Sequence, residues 1–355
     1  MKQVPIKNIY YLLSYAWDKL DEAELTSAGI DDFEEVVNLL GKVLANGCSY
    51  LFKRGLYRNY QLFENEIPGI RGRLLIDQSL NDLSFQNKKA WCSYDELSHN
   101  ILYNQILKST IGILLKVDEV EKSLHGDLKK VYSRFSDVEV IRLQMHHFYK
   151  VRIHRNNAFY GFLIQICRLI FESSALDETG ENYQFRDFSR DHSKLARLFE
   201  AFVFSFYQRE QKRFKVKSPN FSWPFKSDIE EDNEMIPGMQ TDIVLEDDER
   251  IIIIDTKFYS QTLSTRRDYD SISFKSPNLY QIFAYMQHIP NPANKKVEGI
   301  LLYPDVGDTI HATYKWNDQV LTFKTVDLNK QWREIENDLL NLIDELLIES
   351  DHNTV

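Results

Sequence analysis

The stretch "RIIIIDTKFY", Arg250 to Tyr259, sets four consecutive isoleucines ahead of Asp255 and Lys257. An unbroken β-branched run reads as a strand buried on both faces. Two opposite charges then leave its end. A charge buried without a partner costs several kcal/mol or shifts its pKa until it is neutral. The pair therefore needs a reason to be there. Side chains alternate along a strand, so Asp255 and Lys257 point the same way.

The neighbouring sequence supplies the reason. "MQTDIVLED" reads as the preceding strand, joined to the first by the acidic tight turn "EDDE", Glu246 to Glu249. A hairpin there brings Asp242 close to Asp255. Two carboxylates at that separation repel, and one pKa rises sharply. A divalent cation bound by both removes the conflict. Mg²⁺ prefers hard oxygen ligands and takes one or two carboxylates, leaving positions for water and a phosphate. A lysine beside such an ion stabilises phosphoryl charge or helps to activate a water.

Downstream, "SPNLYQIFAYMQH" reads as a helix, with Ser276 as cap and Pro277 at the first helical position. Leu279, Ile282, Phe283 and Met286 form its apolar stripe. Gln281 and Tyr285 stand four apart on one face, in reach of a phosphate backbone or of Lys257. "VEGILLYPD" is a third strand, "TYKWN" and "VLTFKTVDL" a closing hairpin, and "KQWREIENDLLNLIDELLIES" a terminal amphipathic helix. Glu200, in the helix "KLARLFEAFVF", is placed to orient a water at the metal. Helix, strand, strand, helix, strand is the order of an α/β sandwich with one mixed sheet.

The first half mixes patterns. "NIYYLLSYAWDKL" sets Ile9, Leu12, Leu13, Ala16 and Leu20 at helical spacing, and a second long helix runs from Asp32 to a C-cap at Gly55. "YRNYQLFENEIPGIRGRLLID" is β-like and punctuated by Pro68, Gly69 and Gly72. "ELSHNILYNQILKSTIGILLKV" and "VEKSLHGDLKKVYSRF" read as two more helices. The boundary between the halves is drawn near residue 155, giving an N-terminal domain over 1–155 and a second over 156–355.

With 355 residues, 43% of them hydrophobic, the chain is long enough for two domains. The net charge of -10 argues against a protein that coats nucleic acid nonspecifically, without excluding a local basic groove. Cys48, Cys92 and Cys167 lie far apart and form no CxxC pair, which suits reduced thiols in the cytoplasm. Polar residues interrupt the apolar ones of the N-terminus, which is unlike a signal peptide, and no apolar run approaches the ~20 residues of a membrane span. His146, His147 and His154 fit no standard metal spacing. No GxxxxGK[ST], GxSxG or HExxH occurs, so neither a P-loop nor a hydrolase elbow nor a zincin is expected.

Asp242, then Asp255-Thr-Lys257, then Gln281-xxx-Tyr285 resembles the PD-(D/E)XK nuclease superfamily. Further motifs narrow the likeness: "VPIKNIYYLLSYAW", "NEIPGIRGRLLID", "DELSHNILYNQILKST", "YQFRDFSRD" and "TDIV…IIIIDTKFY…NLYQIFAY…GILLYP" together resemble the McrC family over almost the full length. That family supplies the nuclease subunit of McrBC modification-dependent restriction systems. The resemblance implies an α+β or α/β fold, a partner-binding N-terminal domain followed by a nuclease domain with a mixed central sheet flanked by helices. It implies a Mg²⁺-dependent endonuclease, with Mn²⁺ as a substitute, and Asp242, Asp255 and Thr256 at the metal. Lys257 becomes the catalytic lysine, Gln281 and Tyr285 the helix motif, and Glu200 the early acid of some superfamily members. Thr241 stands where the superfamily name has Pro, a departure that removes no ligand.

The same resemblance implies a partner: an McrB-like AAA+ GTPase hexamer that recognises methylated cytosine in duplex DNA. GTP is then bound by the partner, whose hydrolysis this chain stimulates. Arg71 and Arg73, presented among Gly69 and Gly72, are the expected partner contact. Two alternatives stay open at this point, a non-catalytic adaptor of the GTPase and a stand-alone DNA-repair nuclease.

Overall fold

A computed structural model describes residues 4–24, 26, 35–154, 157–176, 182–229, 232, 234–259, 264–266, 271–291, 294–305, 307 and 309–351. Asp32 to Glu34, expected to open the second helix, lie outside the described residues. Elements follow in chain order: α1 (Ile6–Ala16), α2 (Leu20–Glu24), α3 (Val36–Arg54), β1 (Asn59–Pro68), β2 (Arg73–Leu74), α4 (Ile76–Asn81), β3 (Lys89–Ser98), α5 (Leu102–Leu114), α6 (Lys122–Ser133), α7 (Met145–Lys150), α8 (Ala158–Ser173), β4 (Ser174–Leu176) and β5 (Tyr183–Phe185). Then come α9 (His192–Glu210), β6 (Lys215–Lys217), β7 (Asn220–Phe221), β8 (Met239–Gln240), β9 (Ile243–Glu246), β10 (Arg250–Thr256), β11 (Ser264–Arg266), β12 (Ser271–Ser273), α10 (Ser276–His288), β13 (Lys296–Pro304), β14 (His311–Trp316), β15 (Gln319–Val326) and α11 (Trp332–Asp351). No described helix is long and apolar enough to cross a membrane.

Two compact units emerge, one of Met1–Leu20 with Asp187–Val355, the other of Asp21–Arg186. The chain thus divides at 186/187 rather than near 155, and its first helix belongs with its C-terminal half. The cause is packing at long sequence separation. Tyr11 stacks on Trp332 at 4.6 Å, and Tyr15 meets Phe202 edge-on at 5.7 Å. Asn8 Nδ2 donates to Leu328 O at 2.7 Å and Lys330 O at 3.0 Å.

The 21–186 unit packs α3, α5, α6 and α8 through residues such as Leu40, Leu44, Ile111, Leu128 and Leu163, all buried. Gly55 ends α3 at φ +98°, as a C-cap glycine does. A three-stranded antiparallel sheet, β1–β3–β2, carries the Gly69–Arg73 loop. Gly72 is required there: its φ is +63°, and a Cβ would lie 2.4 Å from Ser93 O. The helical reading of "ELSHNIL" gives way at its start, because Glu96 to Ser98 close β3 and α5 opens at Leu102. Ten cross-strand pairs with β1, Asn59↔Ser98 to Pro68↔Lys89, override the local preference.

The other unit is built on a six-stranded sheet in the order β14–β15–β13–β10–β9–β6. β10 and β15 both run parallel to β13, and the remaining pairs are antiparallel. Ile252, Ile254, Ile300 and Leu302 join one core with Leu12 of α1, Phe199 of α9 and Leu339 of α11. Ile251, Ile253, Leu301 and Tyr303 face the other way, onto Ile282, Tyr285 and Met286 of α10. The four isoleucines of β10 thus serve two cores in alternation, as the unbroken run requires. The α10 stripe is rotated from the expected one. Asn278, Ile282, Tyr285 and Met286 are buried, whereas Leu279 and Phe283 are exposed, and Lys275 rather than Ser276 occupies the N-cap.

The EDDE turn is real and neutralised locally. Arg213 Nε lies 2.9 Å from Asp247, Lys295 Nζ lies 2.8 Å from Glu246, and Lys217 pairs with Glu246 as well. Arg213 and Lys217 are therefore engaged by the acids of this hairpin.

Candidate active site

Asp255 is the next-to-last residue of β10 and is fully buried. Lys257 Nζ lies 2.7 Å from Asp255 Oδ2, while Oδ1 has no hydrogen-bond partner among the described residues. Lys257 is fixed by the backbone: its N–H donates to Leu302 O at 2.9 Å, one step beyond the parallel ladder. Asp242 sits in the bend before β9 rather than within it. The ladder ends at Ile254↔Ile243, so one further step sets Asp255 opposite Asp242. Thr256 closes the arrangement, its N–H and Oγ1 both donating to Asp242 Oδ2, at 2.8 and 2.9 Å.

Electrostatics ties these groups together. Burial, then repulsion from Asp242 and Glu200 against the pull of Lys257, brings the Asp255 pKa up to about 7. Burial opposes the Lys257 charge, but Asp255 and Asp242 outweigh it and the ammonium pKa is raised. Glu200, on α9, keeps solvent exposure, yet partial desolvation and the nearby Asp242 raise its pKa while Lys257 lowers it. Three acids and one lysine thus share one field.

The α10 pair braces the same place. Gln281 Nε2 donates to Tyr285 Oη at 2.8 Å, and Tyr285 Oη donates to Gln240 O at 2.7 Å, two residues before Asp242. Burial raises the Tyr285 pKa, with Asp255 and Asp242 adding to it. Sequence reasoning missed Asn278, Tyr259 and Tyr303. Tyr259 Oη donates to Asn278 Oδ1 at 3.0 Å, and Asn278 Nδ2 to Tyr303 Oη at 3.3 Å. Tyr259 follows Lys257 by two, the one signal that could have found it.

The donor set suits a hard divalent cation. Lys257 meets Oδ2 of Asp255, but Oδ1 is buried without a hydrogen-bond partner among the described residues, which is costly unless something positive reaches it. Asp255 and Asp242 are both hard oxygen donors. No group of three or more His, Cys, Asp or Glu fit to hold a metal stands together among the described residues; Asp242 and Asp255 are the two carboxylates that could hold one, a number Mg²⁺ commonly takes.

Arg71 and Arg73 lie in the 21–186 unit, and both are exposed. Arg71 is engaged within its own sheet, 3.2 Å from Glu96 and 4.5 Å above the Tyr94 ring. His147 Nδ1 accepts from Gln144 N at 3.1 Å, a helix cap rather than a ligand. Cys48, Cys92 and Cys167 are buried free thiols.

Residues 7–304 match the family model described as McrBC 5-methylcytosine restriction system component. The chain is 29% identical, over 97% of its own length and 98% of the relative's, to the Type IV methyl-directed restriction enzyme EcoKMcrBC of Escherichia coli strain K12. Among solved structures it resembles a chain of the refined half-complex from the tetradecameric assembly of Thermococcus gammatolerans McrB AAA+ hexamers with bound McrC. That likeness has a TM-score of 0.63 and 16% identity, and it covers 96% of this chain and 76% of the other. At that identity it speaks for the fold.

Proposed function

The chain belongs to the McrBC 5-methylcytosine restriction system component family, and on that premise we propose that it is the DNA-cleaving McrC subunit of a modification-dependent restriction complex. One observation carries the reading: a buried Asp255, its pKa raised to about 7, shares one field with Asp242, Glu200 and Lys257. Metal-assisted phosphodiester hydrolysis uses paired carboxylates with a nearby cation, and a strongly raised carboxylate pKa at such a cluster supports that reading.

In this reading Asp242 and Asp255 hold Mg²⁺ or Mn²⁺ beside Thr256, and the bound ion supplies Lewis-acid charge for phosphoester hydrolysis. Lys257 offsets the carboxylates and presents its ammonium to a phosphate oxygen. Glu200 accepts a proton at its carboxylate or orients water. Tyr285 and Gln281 anchor the segment that carries Asp242. The partner is an AAA+ hexamer resembling that of the Thermococcus complex, and it reads modified cytosine in duplex DNA. GTP is held by the partner, and this chain stimulates its hydrolysis. The 21–186 unit makes the partner contact, with Arg71 and Arg73 on its loop.

Cleavage of methylated duplex with partner and GTP tests the reading against Asp255→Asn and Lys257→Ala. Both variants are expected to lose cleavage by orders of magnitude and to keep GTPase stimulation. Cleavage at the wild-type rate in either one refutes it.

A further inference from the structure

Lys275 immediately precedes the helical run of α10, and its ammonium lies 3.5 Å from the centroid of the Tyr259 ring. That ring borders the catalytic cluster. Tyr259 acts electrostatically on the Lys257 ammonium. Its hydroxyl is tied to Asn278, Asn278 is tied to Tyr303, and the buried Tyr303 hydroxyl feels the charge of Asp255. Asn278 and Tyr303 are 4% and 0% exposed, so the ring is held by groups that do not move with solvent.

Lys275 itself is half-buried and, among the described residues, has no carboxylate within ion-pair distance. Burial lowers its pKa. Four lysines near the sheet are held by acids: Lys257 by Asp255, Lys217 and Lys295 by Glu246, and Lys296 by Glu298. An ammonium resting on an aromatic face still has N–H donors directed away from the ring. In a chain of net charge -10, an uncommitted cation beside the cluster is where a polyanion can be gripped.

We propose that Lys275, seated on Tyr259, binds a backbone phosphate of the DNA strand adjacent to the one that lies over Asp255 and Lys257. This rests on the nuclease reading and adds a substrate contact to it. The contact positions the strand and carries no base information.

The test uses the full chain with its AAA+ partner and a methylated linear duplex as the probe. Acetylation of Lys275, read by mass spectrometry, is expected to fall several-fold when the duplex is added and to stay unchanged with GTP alone. In Lys275→Gln, the salt dependence of DNA half-saturation is expected to flatten by about 0.9 in log–log slope, the share of one phosphate. Lys275→Arg is expected to retain the slope. Unchanged acetylation with duplex, protection by GTP alone, or an unchanged slope in Lys275→Gln overturns the proposal. Lys257→Ala in the same assay separates the two ideas. If it still cleaves, the nuclease reading falls; if it is dead while Lys275 stays unprotected, only this contact falls.

Discussion

Thr256 holds one oxygen of Asp242 with two donors, its backbone N–H at 2.8 Å and its hydroxyl at 2.9 Å. Both bonds come from the strand that carries Asp255, so one short peptide fixes the relative position of the two acids. Thr256→Val keeps the N–H and removes the hydroxyl. Groups that orient a metal ligand are worth roughly 10–100-fold in affinity or activity. The expected outcome is a weaker divalent-cation requirement curve, displaced to higher metal by about that factor, with Thr256→Ser close to wild type. Metal titration of cleavage, paired with direct cation binding by calorimetry, checks it.

Asp255 gives a pH signature. Its pKa rises on folding from the ordinary 3.8 to about 7. The folded state therefore holds the proton more tightly than the unfolded one. The stabilisation is complete below about pH 4 and is lost as pH rises toward 7. In metal-free protein, Asp255→Asn is expected to gain stability relative to wild type across that window, by on the order of a few kcal/mol at its top. Denaturation midpoints of the two proteins from pH 4 to 8 measure the difference. Cation affinity should run the opposite way and rise toward pH 7, because the metal has to displace the Asp255 proton.

Tyr285 donates to Gln240 O at 2.7 Å and so pins the segment leading to Asp242. Tyr285→Phe removes that bond at about 1 kcal/mol of stability. The expected result is a fall in kcat with DNA half-saturation little changed, because the substrate contacts remain. Gln281→Ala, which loses only the bond to Tyr285, should show a weaker form of the same defect. Steady-state cleavage kinetics separates the two variants.

Glu298 and Arg250 test stability away from the chemistry. They lie 3.5 Å apart, 1% and 5% exposed at the side chain. Breaking a buried pair by removing one partner costs roughly 3–5 kcal/mol. Glu298→Ala should therefore destabilise strongly, while Glu298→Ala with Arg250→Met should recover much of the loss. Urea denaturation of both variants decides it.

How much of this was legible depends on range. The strand Arg250–Thr256, its hairpin to Asp242 and the helix bearing Gln281 and Tyr285 follow from short periodicities, and the structure has each of them. β3 escaped, because "KAWCSYDELS" has weak alternation and is strand only through its long ladder with β1. The face of α10 was misjudged for a related reason: helical spacing lists apolar residues, but the sheet below selects which of them it covers. Tyr285 lies on the covered face with Ile282 and Met286 and donates to Gln240 O, whereas Phe283 is on the exposed side.

By itself the sequence determined the central strand, its two-faced burial and the pairing of Asp242 with Asp255, since alternation and a tight turn act over a few residues. Only the tertiary structure decided that α1 packs with residues more than 300 positions away, that Glu200 enters the field of the acids, and that Thr256 holds Asp242. Those outcomes are set by which surfaces meet when helices cover a sheet, and no local pattern along the chain encodes them.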